Sequence, residues 1–170
     1  MKVILLTMKD QKINILDRAH LVFLSFFGTG YSPKAPGTVG SFATIPFMFL
    51  FSTFNLSLNF LIGFIIVLTV MACYSAHYIQ EKFKTHDPGW IVIDEVIGML
   101  ITWLFIYPSF DLQSIFILFI LFRFFDIVKI FPANFIDKNV KNGAGTILDD
   151  VVSGIYAGLI LYGCKYFSII

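Results

Sequence analysis

The sequence is short of charge. Asp, Glu, Lys and Arg make up only 14% of its 170 residues, while 58% are hydrophobic. Soluble domains average about 25% charged and about 45–50% apolar residues. That shortage excludes a disordered chain, which needs few apolar residues and a high net charge, and it argues against a water-soluble globule. An excess of one sign is missing too. The net charge is +1, without the basic face of a nucleic-acid binder, so no nucleic-acid partner is expected. Cysteine is scarce. Cys73 and Cys164 both sit in apolar runs, form no C-x-x-C and have no metal-ligand spacing, so they read as buried small hydrophobes. The apolar run within Met1–Thr7 is too short for a signal peptide. No internal repeat, low-complexity tract or linker appears, so residues 1–170 are expected to form a single domain.

What is abundant is lipid-compatible surface, including 21 Phe. A spanning helix needs about 20 mostly apolar residues. Five segments qualify as candidates: about Thr38–Phe54, Asn59–Ile79, Trp90–Tyr107, Leu112–Val128 and about Ile147–Phe167. The first contains Pro46, which is expected to break it. Before them, Ile15–Phe27 is too short to span and is expected to lie at the interface or against the bundle. The fold expected is all-α: a polytopic membrane helical bundle of about four to five transmembrane helices plus an N-terminal interfacial helix. The connections set its orientation. Asn55–Leu58 and Pro108–Gln113 hold no Lys or Arg, whereas Gln80–Gly89 holds Lys82 and Lys84, and Lys129–Thr146 holds Lys129, Lys138 and Lys141. The N-terminal segment adds Lys2, Lys9, Lys12, Arg18 and Lys34, and Lys165 lies towards the other side. The positive-inside rule then places the N-terminus and both basic loops in the cytoplasm.

Ionisable residues within spans are costly, and each is a functional hypothesis. Asp94, Glu95, Asp149 and Asp150 fall inside expected spans, and Asp126 ends another, with Arg123 beside it. Counting from Trp90, Asp94 would lie about 6 Å into its helix. The orientation puts all five acids at the cytoplasmic ends of three helices, where they can form one cluster. Mutual repulsion and desolvation oppose such a cluster, and a hard divalent cation resolves both, with Mg²⁺ the one expected. Neighbours on a helix point about 100° apart, so one member of each pair can bind metal while the other meets a base. The alternative is a structural ion network with Arg123 and the lysines.

Gly28–Ser41 precedes the first span. Its glycines allow close backbone approach to an anion, Thr29, Ser32, Thr38 and Ser41 offer hydroxyls, and Lys34 offers charge. An ordinary membrane-entry loop has the same composition, and no Gly-Lys-Ser/Thr closes a Walker A motif. Arg123, Asp126 and Lys129 line one helix flank, with Arg123 able to grip a phosphate and Lys129 to supply a point charge. Gly143-Ala144-Gly145 is either a second close-approach loop or a turn. His20 and His77 read as structural, and the pair His86-Asp87 is a candidate for proton transfer. No C-x5-R, D-x-D-x-T or Ser-Gly-His motif is present, nor the CDP-alcohol transferase signature. Metal, basic residues and a glycine loop at a membrane surface point to phosphate chemistry on a lipid. A cation transporter or a non-catalytic assembly protein would use the same acids differently.

Four blocks sharpen this reading: GTGYSPKAPGTVGSFATIP (Gly28–Pro46), HDPGWIVIDEVIGM (His86–Met99), FRFFDIVKIFP (Phe122–Pro132) and GAGTILDDVVSG (Gly143–Gly154). In this order and spacing they resemble the phosphatidylglycerophosphatase A family of the bacterial inner membrane. The resemblance implies an all-helical, multi-pass protein with its site facing the cytoplasm. It implies Mg²⁺-dependent hydrolysis of phosphatidylglycerol phosphate to phosphatidylglycerol and inorganic phosphate. It carries over Asp94, Glu95, Asp126, Asp149 and Asp150 as the acidic metal site. Glu95, Asp126, Asp149 and Asp150 would be the catalytic members. Thr29, Lys34, Thr38, Ser41, Arg123 and Lys129 would bind the phosphate. Ile130 and Thr146 depart from the family's usual Pro and aliphatic residue at those positions, and neither removes a candidate ligand. Direct attack by water and an aspartyl-phosphate formed on Asp126 or Asp149 both remain open.

Overall fold

The computed structural model describes residues 13–169. The apolar start and Lys2, Lys9 and Lys12 lie outside the described residues. All regular structure among those described is helical: α1 (Ile15–Leu24), a 3₁₀ turn (Thr29–Tyr31), α2 (Pro36–Thr53), α3 (Leu58–Phe83), α4 (Ile93–Leu104), α5 (Leu112–Val128), α6 (Ala133–Asn139) and α7 (Gly143–Tyr166).

Sequence-local chemistry sets most of the boundaries. Asn14, Ser57, Asp111 and Asn142 cap α1, α3, α5 and α7 by accepting hydrogen bonds from first-turn amides, which satisfies donors that have no partner within the helix. Pro36 opens α2 at a position where its missing N–H costs nothing. Lys84 and Lys129 end α3 and α5 in the left-handed conformation. The expected break at Pro46 does not occur, and α2 continues through it. Proline is tolerated inside apolar helices where neighbouring groups take up the freed carbonyl.

The centre of the bundle is α4. Ten of its residues are buried, Glu95 and Leu104 being the exceptions, and it packs on α2, α3, α5 and α7. At 12 residues, or about 18 Å, it is shorter than the expected Trp90–Tyr107 span. Two local features account for this. Before the helix, the Val92 amide donates to Leu24 O at 2.9 Å, which holds residue 92 out of the helix. After it, Trp103 Nε1 donates to Ser109 O at 2.8 Å across the turn that contains Pro108. The tightest helix contact is α4 on α7. A Cβ at Gly154 would overlap Gly98 O, and Thr102 Oγ1 donates to Gly98 O at 2.8 Å and Gly154 O at 3.2 Å. Small residues at such a crossing let backbones approach closely.

Among the described residues, α3 and α7 are long and apolar enough to cross a membrane. Large apolar side chains are exposed on α2, α3, α5 and α7, among them Phe49, Val67, Phe116 and Leu159. Two such helices and this outer face suggest a membrane protein. Cys73 and Cys164 are free and half-buried, less enclosed than their apolar runs imply.

Candidate active site

Three helices meet at the acids. Asp94 and Glu95 lie in the first turn of α4, one turn earlier in the helix than a start at Trp90 implies. There the helix dipole favours negative charge, and Asp94 Oδ1 accepts from the Glu95 amide at 3.1 Å. Asp149 and Asp150 lie in the second turn of α7, and Asp126 in the last turn of α5. The dipole disfavours a carboxylate at that C-terminal end. Arg123 compensates from the preceding turn, 2.5 Å from Asp126.

The five acids divide into two settings. Asp94, Glu95 and Asp150 each bring a carboxylate oxygen to a common point, with the three oxygens within 4.8 Å of one another. Asp94 and Asp150 are buried and Glu95 nearly so. Arg123 ties Asp126 to this group, its Nη1 lying 3.8 Å from Glu95 Oε1 and 3.5 Å from Ser41 Oγ. Asp149 pairs with a base. Lys129 donates to it at 2.6 Å and to Asp137 at 2.8 Å. The pair on α7 therefore splits as expected, one acid to the cluster and one to a base, whereas both acids of α4 join the cluster. Asp137 was not singled out in the sequence. Its signal was the Lys129…Asp137 spacing across a short helix, which carries no motif.

Residual polar capacity marks where a ligand fits. Glu95 Oε2, Asp149 Oδ1 and Arg123 Nε are buried with no hydrogen-bond partner among the described residues. A buried polar atom left unpaired is costly. Three convergent carboxylates, with a spare acceptor on Glu95 and no sulfur or imidazole donor, form a set suited to a hard divalent cation, so the residues present fit the metal that the resemblance implies.

The glycine-rich segment packs on the chain itself. A Cβ at Gly30 would overlap the Trp90 carbonyl, one at Gly40 would crowd Val92, and one at Gly37 would overlap Glu95 Oε1. These glycines bring the start of α2 against the start of α4. Ser41, beside Arg123, is thereby drawn to the acids. Its hydroxyl donates to Gly37 O at 2.8 Å. Thr29 Oγ1 is spent locally on Ser25 O and Phe26 O, Ser32 on Lys34 O, and Lys34 itself is exposed. Thr38 is half-buried one residue past Gly37. Gly143 and Gly145 belong to the first turn of α7, against the His77 backbone and the Val140 carbonyl. His20 packs on Tyr78 with the rings tilted, at 4.8 Å between ring centroids. His86 and Asp87 are exposed on the loop before α4.

Comparison with known proteins identifies relatives over most of the chain. Residues 22–165 match the family model described as phosphatidylglycerophosphatase A. The phosphatidylglycerophosphatase A of Haemophilus influenzae is 38% identical over 160 residues, covering 94% of this chain and 96% of its own. That of Escherichia coli is 38% identical over 143 residues, covering 84% and 81%. A Bacteroides thetaiotaomicron protein with the provisional name phosphatidylinositol-3-phosphatase is 33% identical over 141 residues, covering 79% and 86%. No solved structure matches the chain. A match across all four sequence blocks, on a helical frame that gathers their acids, leads to one conclusion: the chain belongs to the phosphatidylglycerophosphatase A family and is a phosphatase.

Proposed function

We propose that this protein is a Mg²⁺-dependent phosphatase that removes the terminal phosphate of phosphatidylglycerol phosphate at the cytoplasmic face of a bacterial inner membrane. The carrying observation is the convergence of Asp94, Glu95 and Asp150 beside Arg123, in a chain whose relatives are named for this substrate. The chain is read as one domain, a multi-pass bundle in which α2, α3, α5 and α7 surround α4. Asp94, Glu95 and Asp150 would hold the metal, with Asp126 and Asp149 at its margin. A bound divalent ion supplies charge neutralisation and a more acidic water.

The rest falls to the chain's own groups. Arg123 swings its fork from Asp126 and Glu95 towards the phosphoryl oxygens, while Lys129 moves from Asp149 as the dianion arrives. Both then stabilise charge on the transferring group. Asp149, released from Lys129 and carrying a spare buried oxygen, accepts a proton from the attacking water. Ser41, Thr38 and the amides at the start of α2 complete the anion site, with Thr29 and Lys34 at its outer edge. Asp126 keeps Arg123 in place between turnovers.

The test is phosphate release from phosphatidylglycerol phosphate by the detergent-purified protein, with Mg²⁺, with EDTA, and with Asp149→Asn. Release that requires both the metal and Asp149 is expected. A folded protein that releases none with Mg²⁺ present overturns the substrate assignment. A phosphorylated aspartate trapped with labelled substrate would replace direct water attack with a covalent route.

A further inference from the structure

On the far side of α4 from Asp150's helix lies a cavity of about 700 Å³, within the range of about 300–1,000 Å³ for small-molecule sites. Its walls are apolar stripes from four helices, including Phe47 and Phe51 of α2, Phe64 and Leu68 of α3, and Ile93 of α4. Among the described residues, Arg18 is the one charged residue that lines it. Arg18 is exposed, and its sequence neighbour Asp17 is committed to Lys82 at 2.6 Å.

The lining sets the extent of the groove. It runs from Ile15 to Phe23 along α1, about 12 Å, and from Ile93 to Leu100 along α4, about 10 Å. One leaflet of a bilayer has a hydrocarbon depth of about 15 Å, so the groove is long enough for most of an acyl chain. Ile93, the residue before Asp94, forms part of its wall.

Resting on the function proposed above, we infer that this groove is the docking site for one acyl chain of the lipid substrate, with Arg18 pairing with the diester phosphate. Among the described residues lining the groove Arg18 is the one cation, for which an anion is the complement, and hydrocarbon is the complement of the rest. Lipid tails are as apolar as the groove, so occupancy gains little hydrophobic free energy. What it contributes is orientation. A chain held along Ile93 and Phe64 presents its headgroup at the first turn of α4, where the carboxylates lie, and positioning of this kind is worth orders of magnitude in rate.

The experiment uses phosphatidylglycerol phosphate with a photoactivatable diazirine in one acyl chain. The full-length protein is irradiated in mixed micelles and the adducts are mapped by mass spectrometry. Adducts are expected on Phe47, Phe51, Phe64 and Leu68, above the level on the outward residues Val67 and Val70 of α3. Ala19→Trp, at an exposed position lining the groove, should remove most of that labelling. Arg18→Glu should lower it for this probe. In kinetics, Ala19→Trp should lower kcat/KM for a dipalmitoyl relative to a dihexanoyl substrate by roughly tenfold.

Adducts spread evenly over Val67, Val70 and the groove overturn the proposal. So does equal labelling by a phosphatidylcholine probe, which would mark a general lipid contact, and so does labelling untouched by Ala19→Trp. The adduct map does not depend on turnover. If the wild-type protein releases no phosphate, the proposed function fails, while the map still decides the groove.

Discussion

Two buried acid clusters in this molecule have opposite characters. Asp17, fully buried on α1, has both oxygens paired: Oδ1 accepts from Tyr78 at 3.1 Å and Lys82 at 2.6 Å, and Oδ2 from the Asn14 amide and Lys82, each at 2.8 Å. Burial alone would raise its pKa, but Lys82, the Asn14 amide and Tyr78 together hold the carboxyl below the usual range. Asp94, Glu95 and Asp150 instead face one another, with one base at their margin and a Glu95 oxygen unpartnered. The first cluster spends its polar capacity on holding α1 to α3. The second leaves a buried Glu95 oxygen without a partner among the described residues. Burial and charge alike are common to both, so the separating property is satisfaction.

The comparison breaks most sharply at Asp150. Asp150→Asn is expected to cut phosphate release by about 10²–10³-fold, the scale of losing a group that organises charge in the transition state. Its melting temperature in EDTA should hold or rise, since one member of a repelling set is neutralised. A clear fall in that temperature would make the cluster structural, like that of Asp17. Asp17→Ala should do the reverse, lowering stability by about 2 kcal/mol through lost hydrogen bonds, cap and ion pair. Thermal unfolding in detergent reads this out, and the surviving folded fraction should keep its specific activity.

Glycines give a finer contrast. Gly37→Ala places a methyl on Glu95 Oε1 and should cost about tenfold in rate, because small displacements are expensive in a positioned site. Gly63 has nothing within 4 Å of a Cβ, so Gly63→Ala in mid-α3 should stabilise by about 0.5–1 kcal/mol and leave the rate alone. Parallel kinetic and melting assays on the two variants separate the cases.

The smallest effect calibrates an exposed pair. Asp111 accepts from the Ser114 amide at 2.8 Å and from Lys165 at 3.0 Å, which holds its carboxyl at about 2. A depressed pKa contributes stability above the ordinary value of 3.8 and loses it as pH falls through about 2. The melting-temperature gap between wild type and Asp111→Asn should therefore be constant above about pH 4 and close by about pH 2. A gap that persists below pH 2 would place the effect in the helix cap and remove the charge from the account.

Much of this was legible in the chain. The apolar runs mark helices, the acids and Arg123 mark the meeting point, and four motif blocks mark the family. The illegible parts depend on partners distant in sequence. The start of α4 moved from Trp90 to Ile93 because the Val92 amide is taken by Leu24, a contact across 68 positions that no local pattern announces. Asp17 went unremarked because its partner Lys82 reads as a loop cation in the sequence, although Asn14-x-x-Asp17 already has the form of a capping box. The glycines of residues 28–41 resemble a ligand loop, and only packing shows that they meet Trp90, Val92 and Glu95.

The crossing of α4 and α7 has a consequence for the membrane around the protein. Gly98 lies four residues after Asp94, and Gly154 four after Asp150. On each helix the touching glycine thus sits one turn below an acid, on the same face. The spacing of the two carboxylates is accordingly gauged by main chain against main chain, with no side-chain rotamer in between. When the hydrocarbon thickness of the surrounding bilayer changes, the outer helices absorb the mismatch by tilting. At this crossing α4 and α7 have no slack between them, so they are expected to tilt as a unit and to keep the spacing of Asp94 and Asp150.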